Sequence, residues 1–241
     1  MSAGAAAVGI VGLAAGLAIA SLSGVRDLLP ELLRGVWVTL QVAAGGAVLA
    51  VVSALLAALA RMYGPRLLRW LAIAYVETFR GTSALVQLFW LFFVLPHFGV
   101  TLDPMTVGIL ALGLNIGAYG AEVVRGAIAS VPVGQWEAAT ALNLDRMQTL
   151  RRVILPQAFV AMIPPWGNLF IELVKATSLV SLITLSDLAF KAQQLNQNTL
   201  RTAEVFGMVM LGYLGISVLV TLAMRALERR AARGLRRGPV R

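Results

Sequence analysis

The sequence predicts an all-α, polytopic membrane helical bundle. Of its 241 residues, 59% are hydrophobic and only 13% are charged, and the mean hydropathy is +0.83. A soluble domain carries about 25% charged residues, so this chain has too little polar surface to cover its apolar mass in water. Five long runs contain no Asp, Glu, Lys or Arg, and no alternating strand pattern is present. Because a backbone in lipid must satisfy its own hydrogen bonds, these runs are expected to be helices.

The five charge-free runs are each about as long as a helix that crosses the hydrocarbon of a bilayer. They cover residues 35–60, 81–102, 104–121, 153–171 and 205–224. The first 25 residues are also uncharged and are mostly Ala and Gly, so a sixth span, a cleaved signal and a leader outside the membrane remain open. We expect an extra helix or a leader, because no positively charged region precedes Arg26.

The basic residues predict the orientation of the chain. Fifteen of the twenty Lys and Arg residues lie in the segments after the first and third runs or in the C-terminal tail. Cytoplasmic segments of membrane proteins carry an excess of Lys and Arg. We therefore expect these segments and the C-terminus in the cytoplasm, with Gly35 on the outer side.

The net charge of +9 is accounted for by this topology. We expect the arginine tail to contact anionic membrane lipid, and nucleic acid is not an expected partner because no aromatic residues are interleaved with the tail. The chain has no cysteine and a single histidine, His97, which excludes disulfides, thiolate metal sites and cysteine nucleophiles. No metal site and no catalytic residue is expected, so a membrane enzyme is disfavoured.

One cytoplasmic segment, residues 125–156, is unusually long for a connection between two helices. Residues 135–142 favour a helix, and Asn143 interrupts it, because asparagine tolerates the left-handed conformation that ends helices. Asp145 precedes Gln148 by three residues, a capping-box pattern that predicts a second helix. The alanines of the first helix make it thin, which suits insertion into a groove of a partner protein. A helix lying on lipid headgroups is the alternative.

This segment resembles the EAA loop of ABC importer permeases. The family pattern is E-A-A, three residues, Gly, nine residues and I-x-L-P, and the spacing in this chain matches it throughout. The matching residues are Glu137, Ala138, Ala139, Asn143, Val153, Leu155 and Pro156. Asn143 stands in place of the usual Gly, and Val153 in place of the usual Ile. The resemblance implies that the helix bearing Glu137 is a coupling helix that docks into an ATPase subunit.

The resemblance extends over roughly residues 30–230, where the chain is similar to the polar amino-acid uptake permeases. It is carried by residues 35–41, 76–88 and 164–179. Residues 81–99 and 203–206 look like the ectoine/hydroxyectoine uptake permeases. The implied solute is therefore a small zwitterion, either a polar amino acid or an ectoine-type compatible solute.

The resemblance also implies a domain organisation and an assembly. A permease domain over residues 31–228 lies between an apolar leader or extra span (1–30) and a basic cytoplasmic tail (229–241). The implied location is a bacterial-type cell (inner) membrane, crossed several times. The implied partners are ATP-binding cassette ATPase subunits, a second permease of the same or a similar chain, and an extracellular solute-binding protein.

The energy for transport is expected from a separate subunit. The chain has no G-x-x-x-x-G-K-[ST] phosphate-binding loop, whose backbone amides would surround a nucleotide phosphate. No cofactor is therefore expected in this chain, which is not itself an enzyme, and ATP and Mg²⁺ would bind to the partner ATPase. An ion-coupled secondary transporter is the alternative function, disfavoured because the sequence shows one predicted break and no internal repeat.

Polar residues inside the predicted spans are candidates for the solute pathway, because they are costly in lipid. Pro164 and Pro165 predict a break after which the fourth helix restarts, placing Glu172 and Lys175 near the middle of the membrane. These two residues share one helical face, and they are expected either to line the pathway for a zwitterion or to form a structural ion pair.

Two further residues complete the candidate pathway. Asn115 lies inside the third run, where it either faces the cavity or hydrogen-bonds across helices. Thr177 belongs to the stretch that resembles the amino-acid permeases, and it is included in the pathway on that ground.

Overall fold

The structure, a computed structural model, describes residues 27–235, and its regular elements are all helical. The α-helices in chain order are α1 (Leu29–Tyr63), α2 (Arg66–Gly81), α3 (Ala84–Phe89), α4 (Pro104–Ala129), α5 (Val133–Ala141), α6 (Arg146–Thr149), α7 (Leu155–Ala176), α8 (Leu188–Thr199) and α9 (Thr202–Leu235). The predicted all-α class is confirmed for this part of the chain. The predicted leader and the end of the basic tail lie outside the described residues.

Within residues 27–235, four helical runs are long and apolar enough to cross a membrane. They are Leu29–Tyr63, Pro104–Ala129, Arg146–Ile183 and Thr202–Ala232. The pair Arg66–Gly81 and Ala84–Phe98 adds a fifth span if its two arms, which are bent by 107°, are counted together. The range of four to five spans within residues 27–235 includes the five core spans that the sequence predicts.

The second span is not the single helix predicted for residues 81–102. The chain breaks between α2 and α3, where Thr82 has an extended backbone with φ −120° and ψ 153°. After α3 the helix widens into a π turn at Trp90–Val94 and then tightens into a 3-10 turn at Leu95–Phe98. A charge-free run reports how apolar a segment is and not whether its backbone stays straight, which is why the prediction was wrong here.

The predicted break and restart of the fourth helix at Pro164 and Pro165 is also wrong. Both prolines lie inside the continuous helix α7, and both are exposed. Proline removes a backbone donor and crowds the preceding turn, but membrane-spanning helices tolerate it where neighbouring groups satisfy the freed carbonyls. The irregular part of this span lies earlier, in the π turn Leu150–Ile154 that leads into α7.

The chain packs as two compact units. The first contains residues 27–46, 85–112 and 172–219 of the described part. Its core joins α1, α8 and α9 and includes Leu28, Leu32, Leu188, Ala192, Val205 and Val209. Gly35 allows α1 to approach α8 closely, because a Cβ atom there would lie 2.8 Å from the Cα of Leu188. Close helix contact at small residues is typical of membrane proteins.

The second unit contains residues 47–84, 113–171 and 220–235 of the described part. Small residues of α4 bring α1 and α7 close to it. A Cβ atom on Gly120 would lie 2.5 Å from the ring of Trp166 and 3.0 Å from the Cβ of Ala54. This unit holds the whole segment that resembles the EAA loop, so its packing determines how that segment is presented.

Candidate functional site

The segment that resembles the EAA loop forms two helical pieces joined by a left-handed turn. α5 is followed by Asn143, whose φ of 54° is left-handed, as predicted from its tolerance of that conformation. The Asp145 carboxylate accepts a hydrogen bond from the Gln148 backbone N–H at 2.8 Å, and the Gln148 side chain accepts one from the Asp145 N–H at 3.3 Å. The predicted capping box is therefore confirmed. The second piece continues into α7 without ending at Pro156.

α5 has an exposed side and a buried side. Glu137 and Ala138 are exposed, whereas Ala139 is only 2% exposed. Two large apolar side chains at the ends of this helix, Val133 and Leu142, are 70% and 74% exposed. Exposed apolar side chains therefore stand at both ends of the helix that carries the exposed Glu137.

α5 is attached to the start of α7. The Gln157 side-chain amide donates a hydrogen bond to the Gln135 side-chain oxygen of α5 at 3.2 Å and another to the Val153 carbonyl at 2.9 Å. Leu155, the first residue of α7, is half-buried, and Pro156 beside it is exposed. A displacement of α5 would therefore act directly on the end of a membrane-spanning helix.

A charged cluster centred on Glu122 joins three helices in the same unit. The Glu122 carboxylate of α4 pairs with Arg61 of α1, with Arg125 at 2.8 Å and with Arg80 of α2 at 3.9 Å. Sequence spacing reveals only the Arg125 pair, which is i,i+3 on one helix. The other two partners are 42 and 61 residues away, so only the packing of the helices brings them to Glu122.

Asn115 and Thr177 are both buried. The Asn115 amide of α4 donates a hydrogen bond to the Phe79 carbonyl of α2 at 3.0 Å and is 7% exposed. Of the two alternatives for Asn115, the structure therefore contains the hydrogen bond between helices. Thr177 is 0% exposed, and its hydroxyl donates to the Val174 carbonyl at 2.7 Å.

Glu172 and Lys175 are both exposed on α7. The ion pairs among the described residues do not include one between Glu172 and Lys175. They lie within the run Arg146–Ile183, and their position near the middle of the membrane stays a prediction. Asn168, one turn before Glu172, is exposed on the same face. Sequence reasoning missed it, although its i,i+4 spacing to Glu172 was the available signal.

A buried carboxylate in the first unit organises the start of α8. Asp187 is 0% exposed, and it accepts hydrogen bonds from the Phe190 backbone N–H at 2.8 Å and from the Tyr213 hydroxyl at 3.1 Å. Its burial raises the pKa of the carboxyl above the ordinary value, although these hydrogen bonds act in the opposite direction. The Leu188 N–H beside it donates to the Thr39 hydroxyl of α1 at 3.1 Å.

Among residues 27–235, no cluster of three or more His, Cys, Asp or Glu side chains is placed to hold a metal ion. The geometry consists of an exposed helix attached to a spanning helix and a polar face on that same spanning helix.

Residues 46–233 match the family described as binding-protein-dependent transport system inner membrane component. This chain belongs to that family. The match covers more than half of the chain, and it includes the segment from α5 to α7 and the exposed face of α7. The resemblance to ABC importer permeases is therefore confirmed at the level of the permease family.

Relatives of this inner-membrane component include three permeases. It is 46% identical over 209 residues to the probable amino-acid ABC transporter permease protein y4tF of Sinorhizobium fredii, covering 84% of this chain and 88% of that protein. It is 42% identical to the L-cystine transport system permease protein TcyB of Bacillus subtilis, covering 85% and 88%. It is 36% identical to the glutamine transport system permease protein GlnP of Escherichia coli, covering 86% and 96%.

Solved structures agree with the family assignment. The crystal structure of an amino acid ABC transporter with histidines superimposes with a TM-score of 0.80 at 32% identity, covering 85% of this permease and 96% of that chain. An inward-facing structure of the MetNI methionine ABC transporter has a TM-score of 0.69 at 22% identity, covering 85% and 98%. The second likeness concerns the fold alone.

Proposed function

We propose that this chain is the permease subunit of an ABC importer that moves a small zwitterionic solute into the cell, driven by ATP hydrolysis in a separate subunit. The observation that carries this proposal is the exposed helix α5, with Glu137 and Ala138 at the EAA spacing, attached to the start of α7. Two ATPase subunits would bind ATP and Mg²⁺ below the membrane. A second permease and an extracellular solute-binding protein would complete the assembly.

The proposed coupling passes from α5 to α7. Closure of the ATPase subunits would displace α5 as a rigid body. Ala139 is buried and Gln157 bonds to Gln135, so this displacement would be transmitted to the end of α7. Asn143, Leu155 and Pro156 would set the angle between the two pieces, with the left-handed turn at Asn143 acting as a stiff corner.

The proposed pathway runs along the exposed face of α7. Glu172 would accept a hydrogen bond from the ammonium group of the solute, and Lys175 would donate one to its carboxylate. Because Glu172 and Lys175 do not pair with each other, this role is favoured over a structural ion pair. Asn168 extends the same face by one turn. Asn115 and Thr177 are buried, so their proposed part is to position the helices that border the pathway.

An amino acid is the solute that we favour over ectoine. The similar permeases TcyB and GlnP are named for the transport of cystine and glutamine. Cystine and glutamine each carry ammonium and carboxylate groups. Ectoine is also a zwitterion and remains the second candidate. The proposed orientation places the arginine-rich end of α9 in the cytoplasm of a bacterial-type cell.

The coupling role is tested by Glu137→Arg in a reconstituted complex with the ATPase subunits. We expect loss of solute-stimulated ATP hydrolysis, because a positive charge at the exposed centre of α5 would oppose docking. The control is Glu228→Arg, an equal charge reversal on α9 outside the EAA-like loop, and it should retain stimulation. Unchanged solute-stimulated ATP hydrolysis in Glu137→Arg would contradict the assignment of α5 as the coupling helix.

The class of transporter is tested in sealed vesicles that contain the chain without ATPase subunits. We expect no solute accumulation in response to an imposed proton or sodium gradient, since the energy is proposed to come from a separate subunit. Accumulation driven by the gradient alone would favour the ion-coupled secondary transporter instead.

A further inference from the structure

An apolar groove in the second unit has no part in the proposed transport cycle. Its volume is about 240 Å³, and it is lined by apolar side chains of three helices. α1 contributes Leu55, α7 contributes Phe159 and Trp166, and α9 contributes Met224 and Leu227. An apolar cavity of even about 150 Å³ stays dry and accepts apolar ligands. This groove therefore suits hydrocarbon rather than water.

The groove opens onto the surface of the protein. Trp166 is nearly buried at 7% exposure, whereas Phe159 at its edge is 51% exposed, and Leu55 and Leu227 are also exposed. The opening lies within the membrane-spanning parts of α1, α7 and α9. Hydrocarbon chains are the surroundings of these helices in a bilayer.

The groove lies on the opposite side of α7 from the polar face. Asn168 is two residues from both Trp166 and Phe170, which puts it about 160° around the helix from each of them. Glu172 and Lys175 share the side of Asn168. A second permease or a solute at the polar face would therefore leave the groove uncovered and facing lipid.

A basic residue lies about one helical turn beyond the groove on α9. Arg230 follows Leu227 by three residues, which places both on one face of the helix. Arg230 is exposed, and among the described residues no acidic side chain pairs with it. Guanidinium groups bind phosphate with two parallel hydrogen bonds. An apolar groove with such a group one helical turn beyond its lining is complementary to a phospholipid, whose phosphate lies beyond the ester end of its acyl chains.

We propose that this groove binds an acyl chain of an anionic phospholipid, whose headgroup phosphate contacts Arg230. The negative charge of the lipid offsets the excess of arginines at this end of α9, which an uncharged lipid would not do. The bound lipid would link α1, α7 and α9 at one site. The inference does not depend on the solute or on the direction of transport, and the proposed orientation puts the lipid in the cytoplasmic leaflet.

The test uses Trp166 as a reporter of the groove. The full chain has five tryptophans, and replacing the other four by Phe leaves Trp166 alone. This chain is reconstituted in vesicles of phosphatidylcholine and phosphatidylglycerol, with bromine on the acyl chains of one lipid or the other. Bromine quenches tryptophan fluorescence only on contact, so quenching measures which lipid occupies the groove.

We expect brominated phosphatidylglycerol to quench Trp166 more effectively than brominated phosphatidylcholine, with an apparent preference of about fivefold, as one arginine near the surface provides. Arg230→Gln should remove this preference. Arg229→Gln, which deletes the same charge on the other side of α9, should retain it. A chain that keeps only Trp37, which is 64% exposed on α1, should be quenched equally by both lipids.

Three results would overturn the proposal. Absence of quenching at Trp166 would show that protein covers the groove, whether a second copy of the chain or another segment. Equal quenching by both lipids would show ordinary lipid contact without a headgroup site. Equal loss of preference in Arg229→Gln and Arg230→Gln would show a general effect of surface charge.

Discussion

A buried carboxylate, Asp187, and a half-buried one, Glu122, are stabilised in different ways. Asp187 is held by neutral donors, because it caps α8 and accepts from Tyr213. Glu122 is held by charge, because guanidinium groups from α1, α2 and α4 surround it. Burying a carboxylate is costly unless its oxygens are bonded. Each residue therefore contributes to stability only as long as its partners stay in place.

Asp187 makes the stability of the first unit depend on pH. Its folded-state pKa is raised above the ordinary value of 3.8, so the folded chain holds this proton more tightly than the unfolded chain. The stabilising effect of that proton is complete below 3.8 and is lost as the pH rises through the folded pKa. Asp187→Asn keeps one oxygen, which can still accept from the Phe190 N–H, and replaces the oxygen that accepts from Tyr213 by an NH2 group, to which the Tyr213 hydroxyl oxygen can act as acceptor. The amide does not titrate.

We therefore expect the melting temperature of the wild type to fall relative to that of Asp187→Asn as the pH rises from below 3.8 through the folded pKa. Asp187→Ala should be destabilised at every pH by about 1–3 kcal/mol, since the helix cap and the acceptor for Tyr213 are both lost. Thermal unfolding of purified protein in detergent between acidic and neutral pH measures both effects. Parallel curves for the wild type and Asp187→Asn would contradict the role of burial.

At the scale of the helix, short-range sequence signals predict helix ends and turns better than they predict whether a helix bends or continues. The capping box at Asp145 and the left-handed Asn143 follow from the preferences of a few neighbouring residues, and both are confirmed. The break at Pro164 was wrong, and the helix predicted for residues 81–102 contains a π turn and a 3-10 turn. Whether a helix bends at a proline or continues through it depends on what packs around the freed carbonyls, which local sequence does not contain.

Gly35 tests the packing of α1 against α8. Gly35→Ala would gain helix propensity of up to about 1 kcal/mol, but the new methyl group would lie 2.8 Å from the backbone of Leu188. Overpacking of this kind costs about 1–3 kcal/mol, so we expect a lower melting temperature. Gly126→Ala is the matched control, because nothing lies within 4 Å of a Cβ atom there.

We expect Gly126→Ala on α4 to leave the melting temperature unchanged or to raise it. The two variants add the same methyl group to a helix, so their difference isolates the contact between helices. If Gly35→Ala were as stable as Gly126→Ala, the close approach of α1 to α8 would not be a feature of the protein in solution.

At the scale of the whole molecule, transport needs a polar face that leads across the membrane and a helix that moves it. We propose that α7 provides both, because its first turn is bonded to α5 and its later turns carry the exposed residues Asn168, Glu172 and Lys175. The remaining long helices supply apolar surface to lipid and close contacts to each other. Membership of the permease family agrees with this division of roles.

The polar face of α7 is tested by Glu172→Gln and Lys175→Gln in the reconstituted complex. Each change removes one charge-assisted hydrogen bond to a zwitterion, so we expect the solute concentration for half-maximal uptake to rise about tenfold or more. Basal ATP hydrolysis should persist, because α5 is untouched. Glu228→Gln removes a charge elsewhere and should not change the concentration dependence. Unchanged uptake in both α7 variants would remove these residues from the pathway.

The sequence by itself determined the class of the protein, the all-α content, the EAA spacing and the local turns. These properties depend on composition or on residues within about one helical turn of each other. Only the tertiary structure decided that Arg61 and Arg80 reach Glu122, that Asn115 bonds to Phe79, and that an apolar groove lies behind the polar face of α7. Such contacts join residues far apart in the chain, and they exist only once the helices have packed.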